Sequence, residues 1–361
     1  MNALARRIAR RIAEQGPLPV SEFMAAALGD PEDGYYMRRE PIGAEGDFIT
    51  APEVSQMFGE LIGLWCAAVW QSMGAPNPVR WVELGPGRGT LAADALRAVS
   101  KTVPAFAAAA DIHLVEASPV LRDHQRVALP AGTTPTWHET FESVPDGPIL
   151  LVATEFFDAL PVRQYVKAED GWRERRIDLA EGGQSFVFVD RPCPPPALAP
   201  VLASTHEGAV VEICEAGVAI AGAVGRRVAQ DGGAALTIDY GHARSAPGDT
   251  LQAVRRHAFA HVLDRPGETD LTTHVDFEAL GNAATAAGAN VFGPVPQGVF
   301  LGRLGIEARA GILTRRADTE QAAAVHSALR RLAHPREMGL LFKALVIAGP
   351  SLAPPPGFER K

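Results

Sequence analysis

The stretch Val82-Glu83-Leu84-Gly85-Pro86-Gly87-Arg88-Gly89-Thr90 decides the reading of this chain. Residues 80–84 form a short apolar strand and 85–89 a turn. Leu91, Ala95 and Leu96 then stand at helical spacing. Strand, glycine turn and helix in that order make a cradle, because glycine turns the chain at positive φ and lets a ligand approach the backbone closely. A dinucleotide fold wants G-x-G-x-x-G, with the pyrophosphate on the helix N-terminus. Here the spacing is G-x-G-x-G, and Glu83 precedes the first glycine by two positions. An acidic strand end suits an ammonium and a sulfonium better than a pyrophosphate. S-adenosyl-L-methionine (SAM) is therefore the expected cofactor, and a nicotinamide dinucleotide is the weaker alternative.

The pattern continues downstream. A strand is expected over 111–116 and a helix over 118–129, with further strands over 134–137 and 148–153. Such alternation predicts a parallel sheet with helices on both faces. Glu116 ends the second strand, where a carboxylate can accept hydrogen bonds from both hydroxyls of a ribose. The alternative for Glu116 is a solvated residue at a strand–helix junction. Residues 162–167, 172–177 and 184–190 break the rhythm. They read as antiparallel strands joined by turns at 169–171 and 181–183, with a proline-rich connection over 192–200. A helix over 216–230, a buried strand over 234–240, an extended insertion over 250–275 and a helix over 277–287 follow. A strand over 289–292, an amphipathic helix over 318–333 and an apolar last strand over 342–348 complete the chain.

Upstream, Leu4, Ile8 and Ile12 form one helical stripe among Arg6, Arg7, Arg10 and Arg11. Such a segment suits an ordinary first helix better than a mitochondrial targeting helix, since it contains Glu14, lacks serine and runs into domain sequence. Ser21 is expected to cap a helix through Ala27. Residues 31–50 form a long loop rich in glycine and aromatics, and a helix runs from Pro52 to Met73.

Composition narrows the class. The 361 residues carry 34 Lys+Arg against 42 Asp+Glu, a net charge of −8, and are 47% hydrophobic. The chain can bury a large core and lacks the electrostatic footprint of a nucleic-acid binder. Cys66, Cys193 and Cys214 are well separated and form no C-x-x-C, so a reducing compartment is expected, with no disulfide framework and no metal site. No apolar run approaches the ~20 residues of a membrane span.

At this point a resemblance emerges. Residues 83–89 followed by Val115-Glu116-Ala117-Ser118 resemble motif I and the post-I acidic residue of class I SAM-dependent methyltransferases. The motifs at 46–53 (Gly46-Asp47-Phe48-Ile49-Thr50-Ala51-Pro52-Glu53), 155–161 (Glu155-Phe156-Phe157-Asp158-Ala159-Leu160-Pro161) and 238–241 are similar to the MidA family. Those at 274–277, 297–301, 338–339 and 342–343 extend the match over nearly the whole chain. The resemblance implies an α/β fold, a Rossmann-like methyltransferase core. A helical lid region over 1–75, a core over 76–350 with an antiparallel insertion at about 161–210, and a tail over 351–361 would follow. It also implies protein arginine N-methylation of a partner subunit, assisting assembly of respiratory complex I. The compartment would be a bacterial cytoplasm, or the mitochondrial matrix in a eukaryote. A non-catalytic assembly chaperone with a retained SAM site, or a small-molecule methyltransferase, are the alternatives. The family usually shows Asn before Glu-Phe-Phe-Asp. Here the residue is Thr154, which keeps a donor and an acceptor but lacks the amide.

Residue roles follow from the chemistry. Arginine never loses its proton in water, so a methyltransferase must orient the guanidinium and localise a lone pair on one nitrogen. Paired carboxylates do that, and Glu155 and Asp158 are the expected clamp; the alternative for Asp158 is a helix cap. Asp239 ends the next main strand, and His242 is a candidate acceptor of the released proton. Gly85, Pro86, Gly87, Gly89, Glu83, Glu116, Ala117, Ser118 and Thr154 form the expected cofactor site. Asp47, Phe48, Thr50 and Glu53 form a candidate lid folded over the cofactor, with Phe48 and Thr50 as further expected cofactor contacts; the alternative is a packing loop. Tyr35, Tyr36, Asp47, Glu53 and Tyr240 are candidate substrate contacts.

Overall fold

The computed structural model describes residues 1–38, 49–197 and 200–359. The chain passes between two compact units at 48/49, 156/157, 219/220, 241/242 and 279/280.

The unit that contains the glycine turn is built on a twisted sheet. Its strands are β1 (Val79–Leu84), β2 (Ala110–Val115), β3 (Thr136–His138), β4 (Ile149–Thr154), β5 (Gly233–His242), β6 (Asn290–Pro296) and β7 (Phe342–Ala348). Their order along the sheet is β3-β2-β1-β4-β5-β7-β6. The pairs β1·β2, β2·β3, β1·β4 and β4·β5 are parallel, and β7 runs antiparallel to both of its neighbours. β4 reads Ile-Leu-Leu-Val-Ala-Thr and is buried from Ile149 to Ala153. That run is what a strand covered on both faces requires. The order reverses at β1, so a crevice opens at the carboxyl ends of β1 and β4, where open α/β sheets hold their ligands.

Helix α1 (Gln56–Ser72) packs on α2 (Thr90–Thr102). A Cβ at Gly63 would lie 2.8 Å from the Cβ of Ala95, so glycine sets the closeness of these two helices. This packing is why residues 49–75 belong with the parallel sheet, whereas the sequence places a boundary near 75. The expected single helix from Pro52 to Met73 is two helices. A short turn of helix, Ala51–Val54, ends where Ser55 adopts extended backbone (φ −167, ψ 142), and the Ser55 hydroxyl then caps α1 at Met57 N, 3.2 Å away. Helix α3 (Pro119–Ala128) starts with Ser118 as its cap. Two helices, Gln297–Leu304 and Ile306–Thr314, were not legible in the sequence, because Gly298, Gly302 and Gly305 interrupt their periodicity.

The other unit carries an antiparallel sheet in the order Leu18–Pro19, Gly171–Leu179, Arg163–Ala168, Val210–Ile213. Phe186–Cys193 also pairs with Gly171–Leu179. The expected hairpins therefore form, and the first residues of the chain join them. Helix Ala3–Gln15 buries Leu4, Ala5, Ile8 and Ile12, while Arg7 bridges Asp30 (2.6 Å) and Asp33 (2.8 Å). The basic stripe is thus an ordinary core helix, with Arg7 and Arg11 turned to acidic neighbours. Ser21 does not cap: the helix spans Val20–Gly29, with Pro19 at the N-cap and no side-chain cap bond. Pro19 ends the short strand against Arg176, and its fixed φ starts the helix before Ser21 is reached. The 250–275 segment contains a small sheet, Ala258–Ala260, Gln252–Arg255 and Asp270–Thr272. No helix among the described residues is long and apolar enough to cross a membrane.

Candidate active site

At the carboxyl edge of the parallel sheet, β1 delivers Glu83 and then the glycine turn. Gly85 has φ 60, and a Cβ there would lie 2.8 Å from the ring of Phe156, so no larger residue fits without displacing that aromatic. The turn is tied down by Gly85 N donating to Val115 O (3.0 Å) and Gly89 N donating to Pro86 O (2.8 Å). Gly89 occupies the N-cap of α2 in left-handed backbone (φ 83), with no side-chain cap bond among the described residues.

Glu83 and Glu116 lie at this edge. Glu83 is 4% exposed, and its Oε2 has no hydrogen-bond partner among the described residues. Burial, with the Glu116 charge adding to it, pushes its carboxyl up to about 8. Glu116 is 8% exposed. Its Oε1 accepts from Ser118 N (2.8 Å) and its Oε2 from Gln125 Nε2 (3.2 Å). Burial raises it to about 7 against those hydrogen bonds and the Arg122 charge. Arg122 also donates from Nε to the Glu116 carbonyl oxygen at 2.7 Å, and Glu116 N donates to His138 O at 2.9 Å. The residue is therefore fixed at its backbone as well as at its carboxylate.

Thr154 ends β4 with its hydroxyl oxygen buried and without a hydrogen-bond partner among the described residues. Glu155 follows in left-handed backbone (φ 51), and its Oε1 accepts from Ala51 N at 2.6 Å. Asp239, fully buried at the end of β5, accepts from Phe156 N (3.2 Å) and Tyr240 N (2.9 Å). Tyr240 sets its ring edge-on to Phe342. Glu53 accepts from the Thr90 hydroxyl and lies 3.9 Å from Arg88, and the Thr50 carbonyl accepts from Glu53 N.

This unit therefore brings Glu83, Gly85, Pro86, Gly87, Gly89, Glu116, Ala117, Ser118 and Thr154 to one sheet edge. Glu155, Asp239, Tyr240, Thr50 and Glu53 belong to the same unit. The Ser118 hydroxyl caps α3 by accepting from Leu121 N (3.3 Å), and the Ser118 N–H serves Glu116. The expected lid residues Asp47 and Phe48 lie outside the described residues.

Four expected residues sit in the other unit. Tyr35 is fully buried and packs edge-on against Tyr36, so it belongs to that unit's core and not to an acceptor channel. The Tyr36 hydroxyl donates to Asp270 Oδ1 (2.9 Å). Burial, with the Asp270 and Asp158 charges, holds it well above the usual phenol range. Asp158 is 5% exposed, and its backbone carbonyl accepts from Thr273 N (2.9 Å) in a turn, not at the start of a helix. His242 Nε2 stands 3.8 Å from Asp276 Oδ2. Burial alone would raise the Asp276 carboxyl, but hydrogen bonds from His242, Ser245 and Ala279 hold it below its ordinary value. Asp270, Asp276 and Phe156 were not singled out from the sequence. The last two lie inside quoted motifs, which was the available signal.

The residues at the sheet edge fit SAM. An orphaned carboxylate oxygen at Glu83 and an orphaned hydroxyl at Thr154 are groups that an amino-acid nucleoside can satisfy. Glu116 has lone pairs left for ribose hydroxyls after its two protein donors.

Comparison with known proteins agrees. A family model described as an S-adenosyl-L-methionine-dependent methyltransferase matches residues 61–295. The chain is 38% identical to the Drosophila melanogaster protein arginine methyltransferase NDUFAF7 homolog, mitochondrial, covering 96% of this chain and 84% of that one. It is 35% identical to protein arginine methyltransferase NDUFAF7, mitochondrial, of Homo sapiens, covering 94% and 82%. A crystal structure from Burkholderia thailandensis bound to S-adenosyl-homocysteine superposes with a TM-score of 0.81 at 30% identity, covering 99% of this chain and 93% of that one. With its glycine turn and buried carboxylates on a sheet of this order, the chain belongs to the S-adenosyl-L-methionine-dependent methyltransferase family that includes the NDUFAF7 proteins.

Proposed function

We propose that this methyltransferase methylates a guanidinium nitrogen of arginine in a partner protein, a subunit whose modification supports assembly of respiratory complex I. One observation carries the reading. The Drosophila melanogaster and Homo sapiens relatives, both named protein arginine methyltransferase, align over more than four fifths of their own length. The reaction then belongs in a bacterial cytoplasm or, in a eukaryote, the mitochondrial matrix.

When bound, SAM supplies a methyl group on a positively charged sulfur. Glu83, Glu116, Thr154 and the turn would hold it, with Thr50 beside them. The guanidinium must be gripped so that one nitrogen points at that methyl carbon. Glu155 is proposed as the first carboxylate, with Asp239 beneath it through Phe156 N. Asp158, three residues on in the chain, is proposed as the second. The nitrogen that takes up the methyl group must shed a proton, which is proposed to pass to His242, 3.8 Å from Asp276 Oδ2. Tyr36, Tyr240 and Glu53 are proposed to shape the approach of the substrate.

Incubation with methyl-labelled SAM and purified complex I subunits, read by mass spectrometry, tests this. Methylarginine is expected with wild type and is lost with Glu155→Gln. Label on a small molecule alone would redirect the reading. Assembly sustained by Glu155→Gln without any methylarginine would turn it to a binding role.

A further inference from the structure

Gln125 is fully buried in the middle of α3. A buried primary amide has two N–H donors and an acceptor oxygen, and it destabilises a core unless they are matched. All are matched here. Nε2 donates to the carbonyl of Gly87 at 2.7 Å and to Glu116 Oε2 at 3.2 Å, and Oε1 accepts from Trp137 Nε1 at 2.7 Å. The indole N–H can only donate, so the amide oxygen must face Trp137 and both N–H groups must face acceptors. The orientation is thus dictated by the partners.

These partners come from three places. Gly87 is the middle glycine of the turn after β1, Glu116 follows β2, and Trp137 lies in β3. One side chain therefore sets the distance between the glycine turn and the carboxylate, while Ser118 N holds the other carboxylate oxygen. For packing alone, an apolar side chain of similar volume would serve and would need no partners. What the amide adds is the tie. We propose that Gln125 is a positioning residue for SAM, coupling the 85–89 turn to the Glu116 carboxylate so that both are in place before the nucleoside arrives. The proposal rests on the reading of Glu116 as the carboxylate that meets the ribose.

Gln125→Glu inverts the tie. The new carboxylate would face two acceptors, the Gly87 carbonyl and Glu116, while a protonated carboxyl could still donate to one of them. Gln125→Met keeps the volume and removes the donors.

The experiment is calorimetric titration of the full chain with S-adenosylhomocysteine at about pH 6 and about pH 8.5, with thermal melts as a folding control. Gln125→Met is expected to weaken binding roughly tenfold at both pH values. Gln125→Glu is expected to weaken it roughly a hundredfold at the higher pH, the ratio to wild type narrowing to about tenfold at the lower. Glu116→Gln serves as the reference. If it weakens binding while both Gln125 variants bind like wild type, Gln125 is structural and the proposal is overturned. A Gln125→Glu penalty that does not change with pH also overturns it. If Glu116→Gln binds like wild type, the underlying reading of Glu116 fails, and the proposal with it.

Discussion

Glu174 of the antiparallel unit and Glu83 with Glu116 of the parallel-sheet unit are all buried carboxylates, and they are treated in opposite ways. In the antiparallel unit Glu174 is 2% exposed and gripped from both sides. Arg163 Nε donates to Oε1 at 2.7 Å, and Arg176 donates to Oε2 through Nε (2.8 Å) and Nη2 (2.6 Å). In the parallel-sheet unit Glu83 and Glu116 are also buried, yet among the described residues no arginine bonds either carboxylate, and burial raises both far above the ordinary carboxylate value. A buried acid with its counter-charges built in holds a fold together. A buried acid without them costs stability and is kept for a ligand that brings the missing donors. Burial alone does not separate the two cases; the partners do.

The contrast can be broken experimentally. Glu174→Ala leaves two arginines facing an empty acceptor site and should cost about 3 kcal/mol in urea denaturation while leaving S-adenosylhomocysteine affinity unchanged. A matching loss of affinity would mean that Glu174 is no mere structural acid. Glu83→Gln should do the reverse. Titration calorimetry should show affinity lower by about 2 kcal/mol, while the ligand-free chain melts no lower at pH 8 than wild type.

The pH dependence sharpens the same point. Burial pushes Glu83 up to about 8 and Glu116 up to about 7 in the folded chain, against an ordinary value of 4.5. Between those values the folded state binds more protons than the unfolded one. Their contribution to stability is fully present below about pH 4.5 and is lost as pH rises toward 7 and 8. Ligand-free stability should therefore fall by up to about 1.4 kcal/mol per pH unit for each carboxyl still protonated in the folded chain, both contributing between about pH 5 and 7 and Glu83 alone up to about 8, and Glu83→Gln should reduce the slope. The added stability conferred by S-adenosylhomocysteine should move the other way, since the ionised carboxylates are the better acceptors. The smallest effect is expected at Thr154. Thr154→Val removes an orphaned hydroxyl and should leave ligand-free stability unchanged or raised by up to ~1 kcal/mol, with a modest loss of S-adenosylhomocysteine affinity.

Much of the parallel sheet was legible beforehand, because β1 and β4 are short apolar runs bounded by turns and the glycines after β1 have few other uses. The expected strand over 342–348 matches β7 residue for residue. Legibility failed where the deciding contact is remote in sequence. Tyr35 and Tyr36 look alike in the chain, yet one ring is core and the other hydroxyl meets Asp270, 234 residues away. Ser118 carries the signature of a ligand residue and of a helix cap equally well, and only the 3.3 Å contact to Leu121 N decides for the cap. Gln125 gave no signal at all, since one polar residue on an amphipathic helix reads as surface.

The sequence by itself determined the alternation of strand and helix, the cradle at 85–89, the acidic residues at 83 and 116 and the cofactor class they suit. Local spacing and residue chemistry suffice for these. Only the tertiary structure decided which buried acids are compensated. It also showed that the first helix, the 162–190 hairpins and the 250–275 segment share one unit, as the pairing of Leu18 with Ile177 illustrates. The physical reason is range: propensity and periodicity act over a few residues, whereas a counter-charge or a hydrogen-bond partner is supplied by whatever segment the fold brings alongside.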